Sequence, residues 1–324
     1  MAKVSVLVAV YNAEKWLPQC LDSLRAQTMG DIQVICVDDA STDGSLAILN
    51  DYARKDHRIE VIALSENSGQ AHARNIALRQ ANGEFTSFLD ADDWYEADTL
   101  QLMTEAFTDG TDCVLLDVVK YYDDHEEHYP MPEFDSIDGN DAFRKSLTWE
   151  IHGVYGVRTS LHKQFPYDET CRWYSDDNTT RIHFLKARRV ARCNGKYYYR
   201  QHSQSVSHKV CVRQFDYLRA NESMRRQLIE MNVDKQQIDI YENHRWLNLV
   251  GVYMFYHVHG KELNGEERRY GLQELRRAWE GIDKNALDKK TTAKLGYRHY
   301  NKWWMFRLQE WVYFTLRGII GKNY

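Results

Sequence analysis

The strongest constraint on the fold is an alternation of strand and helix patterns between Val4 and Leu89. The run Val4–Val10 is rich in valine with little alternation, which is typical of a strand buried on both faces of a parallel sheet. Repeated strand–helix–strand units predict a parallel, doubly wound α/β sheet. The predicted strands are 4–10, 32–37, 59–64 and 85–89, and the predicted helices between them are 13–27, one that opens at 41–44, and 71–80.

Polar residues follow three of these strands, namely Tyr11–Asn12, Asp38–Asp39 and Asp90–Asp93. In open α/β sheets, ligands bind beyond the carboxyl ends of the strands. Carboxylates as close as those of Asp90–Asp93 repel one another, and a bound Mg²⁺ or Mn²⁺ relieves that repulsion. Taken alone, this acidic stretch fits an acidic helix N-terminus equally well. Because the other polar strand ends lie at the same edge of the predicted sheet, a binding site is favoured over a helix N-terminus.

The composition excludes several classes of protein. A length of 324 residues predicts either two domains or one large domain with an appendage. The apolar share of 43% and charged share of 27% are those of a soluble globular protein, and the net charge of −5 gives no case for nucleic-acid binding. The six scattered cysteines argue against a zinc site and a disulfide framework. The first strand begins at once, without a secretory signal, so we expect a cytoplasmic protein.

Four segments together resemble the motifs of the inverting glycosyltransferase family 2. They are Val4–Asn12, Val37–Ser45, Asn67–Asn75 and Gly83–Asp93, and they occur in the family's order within about residues 1–120. The resemblance implies a GT-A fold, which is a Rossmann-like, mostly parallel sheet flanked by helices. It also implies a nucleotide-diphosphate sugar as the donor, for which UDP is the favoured nucleotide.

The resemblance also implies a set of donor-binding residues. Asp39 would accept the N–H of the base, Asp90 would reach the ribose, and Arg74 would contact the pyrophosphate or the base. The alternatives stay open: Arg74 forms a surface salt bridge, and Asp38 supports its turn by accepting backbone hydrogen bonds. The full predicted nucleotide-sugar set is Val10, Tyr11, Asn12, Asp39, Asn67, Gly69, Arg74, Asp90 and Ala91, of which Asn67 and Gly69 are expected mainly to shape their loop.

The same resemblance implies a divalent metal, Mn²⁺ or Mg²⁺, that neutralises charge on the departing diphosphate. Asp92 is the predicted direct ligand. Asp93 either supports the ligands or caps a helix that begins near Tyr95. His202 is a candidate ligand of the metal or the phosphates, with His208 as its substitute. The acidic, histidine-containing segment 123–128 is interpreted as a solvated hairpin tip rather than a second metal site.

The predicted catalytic base lies in the second half of the domain. The family places an acidic pair at the N-terminus of a helix, and here Asp176–Asp177 precedes a helical pattern at 179–186. Asp177 is the expected base, which removes the proton of the attacking hydroxyl, and Asp176 is expected to orient either the acceptor or a neighbouring side chain. Alternatively, both acids only cap the helix. The segments 190–194 and 196–201 are predicted to form a closing hairpin around Gly195.

These assignments predict a catalytic domain at 1–210, with a nucleotide-sugar half at 1–120 and an acceptor half at 121–210. Residues 211–324 are predicted to be helical, with helices at 214–231, 235–257, 265–280 and 302–320. The last of these mixes tryptophans with Lys and Arg. That mixture is typical of a peripheral membrane contact, although a helix packed on the protein core is an equal alternative.

The predicted function is transfer of a sugar, with inversion, to a hydroxyl of a glycan or lipid-linked acceptor in surface polysaccharide synthesis, such as capsule or lipopolysaccharide. One alternative is a sugar nucleotidyltransferase, but that class carries a Gly-rich basic loop after the first strand, where Tyr11–Lys15 stands here. The other alternative is a non-catalytic nucleotide-sugar-binding protein. The transferred sugar, the acceptor and the oligomeric state are left open by the sequence.

Overall fold

The computed structural model describes residues 2–171, 174, 176–202 and 211–321. The chain divides into two compact units, Met1–Ser205 and Val206–Tyr324. His208, the predicted substitute for His202, lies outside the described residues.

The first unit is built on one mixed sheet, which has ten strands among the described residues. Its main order is β3-β2-β1-β4-β9-β6-β10-β5, and β7 and β8 extend β6 and β10. The strands are β1 Val4–Val10, β2 Ile32–Asp38, β3 Ile59–Ala63, β4 Phe85–Phe88, β5 Trp94–Tyr95, β6 Thr111–Tyr121, β7 Glu126–His128, β8 Ser136–Asp138, β9 Tyr155–Arg158 and β10 Arg189–Arg200.

Helices cover this sheet. They are α1 Leu17–Arg25, α2 Ser45–Lys55, α3 Gln70–Gln80, α4 Thr99–Glu105, α5 Gly139–Leu147, α6 Thr159–Gln164 and α7 Asp176–Lys186. One apolar cluster includes Leu17, Leu21 and Leu24 of α1, and another includes Ala73 and Ala77 of α3. A strand with helices on both faces must be apolar throughout, which is why Val4–Val10 does not alternate.

Parallel register brings the polar strand ends together. In β1, Val10 is the register partner of Asp38 in β2, and Leu7 is the partner of Phe88 in β4. The residues that follow these strands therefore emerge along one edge of the sheet. This arrangement confirms the predicted α/β alternation and shows the polar strand ends at one common edge.

The structure differs from two local predictions. Residues 189–200 form the single strand β10, with a register shift between Arg192 and Lys196, rather than a hairpin around Gly195. A Cβ atom on Gly195 would lie 2.7 Å from the carbonyl oxygen of Thr99, so the glycine permits a close approach of two backbones instead of a reversal. Asp93 does not cap a helix near Tyr95, because β5 follows it and α4 begins only at Thr99.

The acidic segment 123–128 is the exposed tip of a hairpin, as predicted. β7 pairs antiparallel with β6, with Val119 opposite His128. His125 stacks on Tyr122 and pairs with Asp124, its neighbour in sequence. These are the contacts of a solvated turn, and nothing in them requires a metal.

The second unit is helical. Its α-helices are α8 Asp216–Glu230, α9 Lys235–His259, α10 Gly265–Glu280, α11 Lys289–Thr292 and α12 Trp303–Ile319, with short 3₁₀ segments at Val212–Phe215 and Lys284–Ala286. Its core is aromatic and includes Trp246, Tyr253 and Phe306. A buried carboxylate, Glu242, accepts hydrogen bonds from both Arg225 and Arg245. Among the described residues, no helix is long and apolar enough to cross a membrane.

Candidate active site

Asp39 holds the loop that follows β3. The carboxylate is 3% exposed, and its two oxygens accept hydrogen bonds from the backbone N–H groups of Ser68 (2.7 Å) and Gly69 (2.8 Å). The side chain of Asn67 donates to the Asp39 carbonyl at 3.0 Å. Gly69 has a φ of 94°, which favours glycine there. Each Asp39 oxygen keeps a lone pair for a further donor, such as the N–H of a base.

The end of β1 forms the neighbouring part of the site. Asn12 has a φ of 50°, and its side-chain oxygen accepts a hydrogen bond from the backbone of Thr42 at 2.8 Å. Asp38 accepts from the backbone of Ser41 at 3.1 Å, as expected of a residue that supports its turn. Tyr11 is 51% exposed beside them. The loops are thus held by hydrogen bonds while one aromatic ring stays available.

Arg74 is a buried bridge between two acids. It is 2% exposed, so it is not a surface salt bridge. Its guanidinium donates to Asp90 at 2.5 Å and lies 3.8 Å from Asp176. The rings of Phe88 and Tyr167 flank it, with centroids at 4.3 and 5.4 Å. Burial opposes its charge, but Asp90, Tyr167 and Asp176 outweigh that effect and raise the pKa of Arg74.

The three acids after β4 have different surroundings. Asp93 is 1% exposed and accepts hydrogen bonds from Tyr197 (2.6 Å) and the backbone of Arg200 (2.8 Å), so it faces the sheet. Burial, followed by Asp92 and Asp90, raises the pKa of Asp93 well above its usual range. Asp90 accepts from Arg74 and, at 3.0 Å, from Gln70. Burial also raises the pKa of Asp90, which Arg74 opposes. The intervening residue, Ala91, is buried.

Asp92 and His202 come together at the same edge. The His202 Nε2 atom lies 3.0 Å from the Asp92 Oδ2 atom. Arg200 donates to the Asp92 carbonyl at 2.9 Å, and its guanidinium lies between the rings of Trp16 and Trp94, at 4.4 and 4.5 Å. This packing fixes the backbone on both sides of the pair.

The pair of Asp92 and His202 fits a divalent metal whose coordination is completed by the phosphates of a bound nucleotide. A carboxylate oxygen and an imidazole nitrogen are both donors that Mn²⁺ accepts, and a metal bound with a nucleotide takes further oxygens from the phosphates. Within the described ranges, no group of three or more acidic, histidine or cysteine side chains is assembled for a metal. Asp92 and His202 therefore offer two protein ligands, and the remaining ones would come from the diphosphate and water.

The predicted base lies in the first turn of α7, which begins at Asp176 rather than at 179. Burial raises the pKa of Asp177 to about 7, an effect that Arg181 opposes and Asp176 enhances. A carboxylate with that pKa accepts a proton near neutral pH far better than an ordinary Asp. Asp176 is 43% exposed and points toward Arg74. The bridge through Arg74 therefore links Asp90, which follows β4, to the first turn of α7.

Trp149 was not singled out by the sequence. Its ring is 42% exposed, its φ is 59°, and the guanidinium of Arg181 lies 5.3 Å from its centroid. A bulky residue in the left-handed region is uncommon and indicates a constrained position. No pattern in the sequence marks it, because neither a positive φ nor the proximity to α7 is visible there. The sequence also did not predict that Arg200 braces the backbone of Asp92.

Comparison with known proteins decides the family. Residues 5–166, half of the chain, match the family described as Glycosyl transferase family 2. The chain belongs to this family. The matched region contains every predicted donor-site residue, whereas Asp176, Asp177 and His202 lie beyond its end.

Two curated relatives illustrate the similarity. The putative glycosyltransferase EpsH of Bacillus subtilis is 44% identical over 121 residues, which are 37% of this chain and 35% of EpsH. The poly(ribitol-phosphate) beta-glucosyltransferase of Bacillus spizizenii is 46% identical over 101 residues, which are 30% of this chain and 16% of that protein. The matches thus span little more than a third of these relatives' lengths at most.

Solved structures match nearly the whole chain. The structure of S. aureus TarS 1–349 in complex with UDP-GlcNAc has a TM-score of 0.77 at 20% identity and covers 99% of this chain and 92% of that one. A mannosyltransferase of Pyrobaculum calidifontis, in complex with GDP-Man and Mn²⁺, has a TM-score of 0.53 at 18% identity, with coverage of 99% and 88%. The predicted GT-A fold with a C-terminal helical extension is confirmed.

Proposed function

We propose that this protein transfers a sugar from a nucleotide-diphosphate sugar to an acceptor hydroxyl in a single displacement with inversion. The observation that supports this most is the buried Arg74, which joins Asp90, on the donor side, to Asp176, beside the proposed base. A protein that only stored a nucleotide sugar would not need a carboxyl with a pKa of about 7 next to that bridge.

On the donor side, the exposed ring of Tyr11 offers a face on which a base can stack, and Asp39 offers free lone pairs to its N–H. Val10, Asn12, Asn67, Gly69 and Ala91 shape the surrounding loops. Asp90 is the proposed ribose contact, and Arg74 acts on the donor mainly by holding that carboxylate. UDP is the proposed nucleotide, a choice supported by the TarS complex with UDP-GlcNAc.

Asp92 and His202 would hold Mn²⁺ or Mg²⁺ with the diphosphate. When bound, such a metal supplies positive charge that stabilises the departing nucleoside diphosphate. The support for this proposal is the 3.0 Å approach of the two side chains, together with the Mn²⁺ complex of the mannosyltransferase of the same fold. Arg200, held between two tryptophans, keeps the Asp92 backbone in place.

Asp177 would remove the proton from the acceptor hydroxyl as its oxygen forms the bond to the anomeric carbon. The bond between that carbon and the diphosphate oxygen breaks in the same step, and the electron pair leaves with the nucleoside diphosphate. An α-linked donor thereby gives a β-linked product. Trp149, which is exposed beside Arg181 in the helix of the proposed base, would receive the apolar face of the acceptor.

The proposed acceptor is a glycan, a polyol-phosphate chain or a lipid-linked saccharide of a surface polysaccharide. The support is the similarity to one relative, a poly(ribitol-phosphate) beta-glucosyltransferase. The reaction would take place in the cytoplasm or at the inner face of the cell membrane, where the donor is available.

The test is a donor panel of UDP-, GDP- and dTDP-sugars, with release of the nucleoside diphosphate measured in Mn²⁺ and in EDTA. We expect release from one donor class that EDTA abolishes, with inversion at the anomeric carbon seen by NMR. Binding of donors without turnover of any of them, with or without cell-wall acceptors, would favour a non-catalytic binding protein. Formation of a nucleotide sugar from a sugar phosphate and a nucleoside triphosphate would identify a nucleotidyltransferase.

A further inference from the structure

Helix α12 of the second unit has two apolar faces, and only one of them is covered. Phe306 and Phe314 are buried, and Phe306 packs against Trp246 and Tyr253 of α9, with ring centroids 5.5 and 5.6 Å apart. Glu310 lies on this inner face with 0% exposure. An ordinary amphipathic helix would show polar residues on the opposite face.

The opposite face is apolar instead. Trp304, Leu308 and Trp311 are 61%, 54% and 58% exposed, and Ile319 is 77% exposed. Their successive spacings of four, three and eight residues place them along one side of the helix. Single exposed apolar residues need no explanation, but a continuous row with two tryptophans marks an interaction surface.

The row borders a groove that carries positive charge. The groove has a volume of about 1010 Å³ and lies between α12, the end of α9 and the beginning of α10. Lys261, Arg268 and Arg307 line it and are exposed, whereas none of its described lining residues is acidic. The one acid of α12, Glu310, points away, and burial raises its pKa to about 8. Near neutral pH the exposed surface of α12 is therefore apolar and cationic.

This combination selects one kind of partner. A second copy of the chain, docked face to face about a two-fold axis, would bring the same cations against one another. A neutral apolar peptide would leave them without partners. Anionic lipid head groups meet the cations, while tryptophan and leucine side chains enter the boundary between head groups and acyl chains.

We propose that the exposed face of α12, together with its basic groove, docks on an anionic lipid surface. The helix lies along the surface, with the row from Trp304 to Ile319 toward the acyl chains and with Lys261, Arg268 and Arg307 at the phosphates. This docking does not depend on the proposed sugar transfer, since every residue involved belongs to the helical unit.

The experiment is co-sedimentation of the full chain with vesicles of phosphatidylcholine alone and of phosphatidylcholine mixed with phosphatidylglycerol. We expect binding to the mixed vesicles that weakens as salt rises, because surface charge is screened by salt. We expect Trp311→Glu to weaken it by at least about tenfold, since burial of a large apolar side chain is lost. The matched control is Leu247→Glu, an exposed apolar residue of α9 outside the groove, which should bind like the parent.

A second variant keeps the proposal testable if Trp311→Glu fails to fold. Lys261→Gln with Arg268→Gln leaves the apolar core untouched and should weaken binding by about fivefold per charge removed. Equal binding to both vesicle types, absence of binding by the parent, or equal loss in Leu247→Glu would each overturn the proposal. So would a dimer in light scattering that Trp311→Glu dissociates, because that result would assign the face to a second copy.

Discussion

Replacement of Asp177 by Asn should separate catalysis from stability. The Asn side chain is nearly isosteric and keeps a hydrogen-bonding oxygen, but it cannot take up a proton as a base. We expect the rate of transfer to fall by about 10²–10⁴, the usual contribution of a general base. In the parent, kcat/KM should fall tenfold per pH unit below about pH 7, because the raised pKa leaves Asp177 protonated there.

The same change should stabilise the fold at neutral and alkaline pH. The pKa of Asp177 rises from 3.8 to about 7 on folding, so the folded state binds the proton more tightly. The free energy of unfolding therefore falls through Asp177 as the pH rises from about 3.8 to 7. Above pH 7 this contribution stays constant. The full shift corresponds to about 4 kcal/mol. Since Asp177 is partly exposed, water screens its charge, and we expect a gain of about 1–2 kcal/mol for Asp177→Asn at pH 8.

The assay is urea unfolding of the parent and of Asp177→Asn at pH 5 and pH 8, beside nucleoside diphosphate release. The stability difference should be larger at pH 8 than at pH 5. The control is Asp141→Asn, an exposed acid in the first turn of α5, which should change neither quantity. An Asp177→Asn protein that turns over as fast as the parent would refute the assignment of the base. A stability difference that does not grow with pH would refute the electrostatic argument.

Three further outcomes follow from the structure. Removal of one of the two proposed metal ligands, in Asp92→Ala or His202→Ala, should weaken Mn²⁺ binding in the presence of nucleoside diphosphate by at least about tenfold, as measured by calorimetric titration. Unchanged affinity would exclude the pair as ligands. Arg74→Met leaves the partly buried Asp90 without its cation and should lower the free energy of unfolding by about 1–3 kcal/mol, whereas a loss below about 0.5 kcal/mol would contradict the bridge. Burial lowers the pKa of His183 to about 4, so the unfolded state gains protons first as pH falls below 6.5. The parent should lose up to about 2 kcal/mol between pH 6.5 and pH 5 through this residue, and His183→Gln should lack that loss in urea unfolding.

The sheet and its binding edge were predictable because local patterns determine them. The valine-rich Val4–Val10 and the acids after β2 and β4 can be read without knowledge of any contact. The failures concern residues whose neighbours are distant in sequence. Residues 189–200 contain a glycine that is typical of a turn, yet they form one strand because the backbone of Thr99 packs against Gly195.

By itself, the sequence determined which residue types meet at the sheet edge, since parallel strands must place their carboxyl ends together. Tertiary structure alone decided how the charges are shared among them. Burial and ion pairing depend on packing, and packing made Arg74 a bridge between acids, turned Asp93 inward to Tyr197 and brought Asp92 against His202. Packing also covered one face of α12 and left the other exposed. The spacing of apolar residues in the sequence cannot reveal which face of α12 is covered, because both faces are apolar.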